Sequence, residues 1–125
     1  MAFVFVYGTL KRGHGNHPLL GDSLFVGEAT TLGKYTLYDG GFPRMSNFPG
    51  DVKSYVAGEV FHVTSAAVLD GLDRLEGHPT FYIRRRIWVR MTASDSHQRV
   101  WAYIWPHPHA SAVCKPIKGV ASWDR

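Results

Sequence analysis

Glu76 is the residue whose position invites chemistry. It follows Leu72 by four residues and Leu69 by seven. At about 100° per residue this places its carboxyl on the leucine stripe, with Asp70 and Arg74 on the opposite side. A carboxylate on an apolar stripe loses hydration, and a place in the last helical turn sets it against the negative end of the helix dipole. Both effects favour the neutral acid. A carboxyl with a raised pKa can take and return a proton near neutrality, which is the duty of a general acid/base. The bland alternative is a frayed helix end that turns Glu76 to water or pairs it with Arg84 or Arg85.

Other groups carry weaker signals. Gly8, and the Gly40-Gly41 pair, could bring backbone N–H groups close to an anionic ligand, although each serves equally as a turn. His107-Pro108-His109 has half the makings of a metal site, but no thiol or carboxylate lies at a known ligand spacing. Cys114 is the single cysteine, so an intramolecular disulfide is excluded, and no motif around it marks a nucleophile. The phosphate-binding GxxxxGK[ST], the dinucleotide GxGxxG and the hydrolase GxSxG are all missing.

The elements that must position these groups follow from periodicity. Phe3 to Tyr7 is a short apolar run halted by Gly8, which predicts a buried strand delivering Gly8-Thr9-Leu10 at its end. Residues 11 to 22 hold Gly13, Gly15, Asn16, Pro18 and Gly21 and read as an irregular loop able to reach a site. Strands are expected over 24–31, 35–38, 55–63, 82–91 and 99–105, with loop over 44–54 and few periodic features after Pro106. Between them Val68, Leu69, Leu72 and Leu75 recur at helical spacing, with Thr64 or Ser65 placed to cap the start and Gly77 the end. Strands and helices do not alternate, so the class is α+β: a closed or strongly curved sheet with one main helix, in a single domain over 1–125.

Composition agrees. A chain of 125 residues, 45% of them hydrophobic, can bury a core without a disulfide or metal staple. The apolar start lacks a basic leader and is cut by Gly8 long before the ~20 residues of a membrane span, so the expectation is a cytoplasmic protein with no membrane partner. The net charge of +4 is a small excess. Its densest run, Arg84-Arg85-Arg86, lies in a strand that would split the side chains between two faces, which argues against a nucleic-acid groove.

Two segments resemble one family. Val6-Tyr7-Gly8-Thr9-Leu10-Lys11-Arg12-Gly13 is similar to the YG[ST]L substrate-binding turn of the gamma-glutamylcyclotransferase-like superfamily. Leu69-Asp70-Gly71-Leu72-Asp73-Arg74-Leu75-Glu76-Gly77 resembles its LDxxEG segment, whose catalytic glutamate falls on Glu76, and Tyr82-Ile83-Arg84 follows in the same order. The short length, with Thr at position 9, resembles most the gamma-glutamylamine cyclotransferase branch. The resemblance implies a small mixed-strand barrel with a cavity at its mouth, no metal or organic cofactor, and a small gamma-glutamyl substrate. In the implied reaction the substrate's α-amine attacks its own γ-carbonyl to give 5-oxoproline and a released amine or amino acid. Glu76 would move the protons and Tyr7, Gly8, Thr9 and Leu10 would cradle the substrate. Tyr82 would contact substrate, orient the glutamate or pack in the core, and Gly41 would line the pocket. A gamma-glutamyl-removing acyl transfer and a non-catalytic binding module on the same fold are the alternatives.

Overall fold

The computed structural model describes residues 2–39, 42–47, 53–107 and 112–123. Its centre is a closed five-stranded barrel built from β1 (Ala2–Val6), β2 (Leu24–Thr31), β5 (Tyr55–Val63), β6 (Ile83–Met91) and β7 (His97–Ile104). The order around the barrel is β1-β7-β6-β2-β5, and β5 closes it by pairing antiparallel with β1, Val4 opposite Phe61. Only the β1–β7 seam, where Val4 meets Trp101, is parallel. A hairpin of β3 (Thr36–Asp39) and β4 (Pro43–Ser46) and a short β8 (Val120–Ala121), parallel to β5, complete the sheets. The expected barrel-like α+β fold is therefore the one observed.

Alternation along the strands builds two cores. Phe5 of β1 and Tyr7 just after it, Val56 and Val60 of β5, Ile87 and Val89 of β6 and Val100 and Ala102 of β7 fill the barrel. Their outward neighbours Val4, Val6, Phe61, Val63 and Tyr103 form a second core with Leu72 of helix α1 (Ala66–Glu76), which lies against the barrel wall. Both faces of β5 are thus buried along most of their length, as its sequence suggested. Ser65, not Thr64, caps α1: its side chain accepts the N–H of Val68. Gly77 ends the helix at φ 66°, the left-handed conformation that glycine adopts without penalty. Among the described residues no helix is long and apolar enough to cross a membrane.

Three sequence expectations need correction. Part of the expected loop at 44–54 is strand β4, with Met45 fully buried. Three residues carry too little pattern to read, and distant groups order them: the Met45 N–H donates to the Tyr7 hydroxyl and its carbonyl accepts the Trp105 N–H. The tail after Pro106 is not featureless, since β8 joins the sheet and Trp123 is only 5% exposed in the barrel core. Leu75 departs from the apolar stripe and is 41% exposed.

Candidate active site

A cleft of about 300 Å³ opens where the end of β1, the start of β4, the last turn of α1 and the start of β6 converge. Tyr7, Gly8, Thr9, Leu10, Glu76 and Tyr82 all line it. Gly41, the remaining expected site residue, and Gly40 lie outside the described residues, as does His109.

Glu76 is held by its own helix and by the segment that returns from it. Leu72, one turn earlier, is fully buried and plugs α1 into the outer core. Beyond Gly77 the chain folds back through Thr80 and Phe81, whose N–H groups both donate to the Gly77 carbonyl, until the Tyr82 N–H reaches the Glu76 carbonyl at 3.2 Å. The carboxyl faces the cleft, where burial lifts its pKa from 4.5 to about 7. Among the described residues no hydrogen bond or ion pair holds it. Arg84 is engaged elsewhere: its guanidinium meets the Asp73 carboxylate at 3.0 Å, and the Tyr103 hydroxyl donates to the same carboxylate at 2.7 Å. The ion pair considered for Glu76 thus goes to the neighbouring acid. Arg84 and Arg86 also lie against the Trp101 ring, at 4.8 and 4.9 Å.

Opposite Glu76 the chain leaves β1 through a turn closed by the Lys11 N–H on the Gly8 carbonyl, 3.0 Å. Asn16 pins this turn twice, its N–H donating to the Thr9 carbonyl and its Nδ2 to Thr9 Oγ1, each at 2.9 Å. Among the described residues no group of the protein accepts the amide N–H of Gly8, Thr9 or Leu10. These donors can serve a carboxylate or a carbonyl oxygen in the cleft. Gly8 is required by crowding: a Cβ there would overlap the Pro43 side chain.

The two tyrosines have committed hydroxyls. Tyr7 donates to the Tyr103 carbonyl at 2.7 Å and accepts from Met45, and burial pushes its pKa well up. The Tyr82 hydroxyl donates to the Pro43 carbonyl at 2.9 Å, not to the Glu76 carboxyl, and its ring sits edge-on to Trp105; burial raises its pKa, so it too stays neutral. Both shape the walls with their rings and tie β4 to the barrel. Asn16, Arg44, Tyr103 and Trp105 also line the cleft. They were not singled out from the sequence, because nothing local marks them. Cys114 is half-buried against the barrel core, away from the cleft lining. Among the described residues no cluster of three His, Cys, Asp or Glu side chains could hold a metal ion.

The arrangement puts one carboxyl of raised pKa and the amides of Gly8, Thr9 and Leu10 on the lining of one cleft. Known proteins resemble this chain in sequence and in structure. A model of the family described as gamma-glutamyl cyclotransferase, AIG2-like, matches residues 4–125. A Methanocaldococcus jannaschii protein that carries gamma-glutamylcyclotransferase as a provisional name is 36% identical over 114 residues, 90% of each chain. The gamma-glutamylaminecyclotransferase of Bos taurus is 41% identical over 99 residues, 73% of this chain and 58% of the bovine protein. The crystal structure of an AIG2-like protein from Mus musculus is similar with a TM-score of 0.73 at 28% identity, over 100% of this chain and 97% of that one.

Proposed function

The chain belongs to the gamma-glutamyl cyclotransferase, AIG2-like family, and from that premise we propose that it converts a gamma-glutamyl amine or gamma-glutamyl amino acid into 5-oxoproline and the free amine. The substrate's α-nitrogen forms a bond to its own γ-carbonyl carbon and the bond from that carbon to the leaving nitrogen breaks. No water enters. The α-amine loses one proton and the leaving nitrogen gains one, so a single carboxyl that accepts and then donates suffices.

The observation that carries this reading is Glu76: a carboxyl with a pKa near 7, free of ion pairs among the described residues, facing the cleft. At neutral pH a substantial fraction is ionised and able to act as base, and the acid it becomes is strong enough to return the proton. The amide N–H groups of Gly8, Thr9 and Leu10 hold the α-carboxylate or stabilise the oxyanion that develops on the γ-carbonyl. Enclosing a flexible chain in the cleft brings amine and carbonyl together, which supplies the proximity contribution. The bovine relative's name supports the gamma-glutamylamine branch, and one lone thiol is compatible with work in a reducing cytoplasm.

The test is 5-oxoproline release from gamma-glutamyl amines, gamma-glutamyl amino acids and glutathione by the wild type and by Glu76→Gln. Release that the substitution abolishes supports the reading. Free glutamate appearing in place of 5-oxoproline would refute the cyclisation and indicate hydrolysis.

A further inference from the structure

The cleft lining orders itself from floor to mouth by exposure. Phe5, Val6 and Tyr103 are 1%, 3% and 3% exposed, whereas Phe42, Leu75 and Phe81 are 63%, 41% and 61% exposed. Three separate segments supply the mouth: the approach to β4, the last turn of α1, and the loop from α1 to β6. Large apolar side chains gain nothing by facing water. Lining one cleft together, they form a collar that an apolar group leaving the cleft would cover. The collar is continuous with the reacting centre, since Leu75 precedes Glu76. Phe81 is seated against the left-handed helix cap, where a Cβ on Gly77 would lie 2.6 Å from its ring.

Every gamma-glutamyl substrate shares its glutamyl half, and that half must lie inward, between Glu76 and the open amides. The half that differs, the departing amine, extends through the mouth. Resting on the cyclotransferase reading, we infer that the collar of Phe42, Leu75 and Phe81 selects an apolar leaving amine, of the alkyl or arylalkyl class. The same collar disfavours charge: a second ammonium on the leaving group would lose hydration against apolar side chains.

The experiment is a series of gamma-glutamyl n-alkylamines from ethyl to hexyl, with the mono-gamma-glutamyl derivative of 1,6-diaminohexane as charged control. Linear alkylamines differ little in basicity, so the chemistry of departure stays constant along the series. kcat/KM for 5-oxoproline release should rise about two- to fourfold per methylene. The diamine, whose ammonium loses hydration at the collar, should fall roughly tenfold or more below hexylamine. Phe42→Ser and Phe81→Ser should each reduce the hexyl-to-ethyl ratio about threefold, and the wild-type series stands even if a variant fails to fold. A flat or falling series with 5-oxoproline still released would overturn this inference and leave the cyclotransferase reading intact. Release from no member would overturn both.

Discussion

Replacing Glu76 by Gln separates a catalytic carboxyl from a structural one, because the two predict opposite effects on stability. In the unfolded chain the carboxyl titrates near 4.5, and in the fold near 7. Between these values the folded protein holds a proton that the unfolded chain has lost. Wild-type stability must therefore fall as pH rises through this window, and level off above about 7. The full interval corresponds to about 3 kcal/mol, at ~1.4 kcal/mol per pKa unit. The cleft is open to water, so about 1–3 kcal/mol is the expected range. Glu76→Gln keeps the shape and removes the titration. The two proteins should be nearly equally stable at pH 4, and the variant more stable at pH 8.5 by that amount, or about 4–12 °C in Tm. Urea unfolding at the two pH values measures this directly. Over the same range kcat/KM of the wild type should climb with an inflection near pH 7, and the variant should lose about 10²–10⁴-fold in rate at pH 8. A variant less stable than wild type at pH 8.5 would mean that the carboxylate is held by favourable contacts, and the argument from its burial would fail.

Gly8→Ala places a methyl group into the Pro43 side chain. It should destabilise the fold by about 1–3 kcal/mol in urea unfolding and raise KM by displacing the amide row. Asn16→Ala removes the bond from Nδ2 to Thr9. About 1 kcal/mol of stability should go with it, and KM should rise more than kcat falls in a steady-state titration. Trp123→Ala empties a buried place in the barrel and takes away the indole N–H that Asp39 accepts at 3.2 Å. A loss of about 3–5 kcal/mol is expected, visible as a large fall in Tm.

Much of this protein is written in short-range pattern. The spacing of Leu69, Leu72 and Glu76 placed the carboxyl on the buried side of a helix, because 3.6 residues per turn is a local property of the backbone. A short apolar run in β1, alternation in β5 and strand-type residues in β6 likewise marked the barrel strands, and Thr64 or Ser65 and Gly77 marked the helix ends for local conformational reasons. Leu75 shows the limit of periodicity. It belongs to the stripe by spacing, yet lies exposed on the cleft lining, because whether a stripe position is covered depends on what packs against that turn.

What the tertiary structure alone decided is who meets whom. Arg84 could have paired with Glu76, but it meets the Asp73 carboxylate, which also accepts the Tyr103 hydroxyl, leaving the catalytic candidate without a counter-ion among the described residues. The hydroxyl of Tyr7 could have met substrate, but Tyr103 and Met45 occupy it from 96 and 38 residues away. Strands β4 and β8 form because the hairpin partner and the edge of β5 are waiting for them, not because their own few residues insist on it. The residues by themselves determined the kinds of groups available, the helix and strands that carry them and the carboxyl out of place on an apolar face. Contacts between distant segments determined its neighbours, its proton affinity and the apolar collar at the mouth, since desolvation and pairing depend on separation in space and a linear pattern records only separation along the chain.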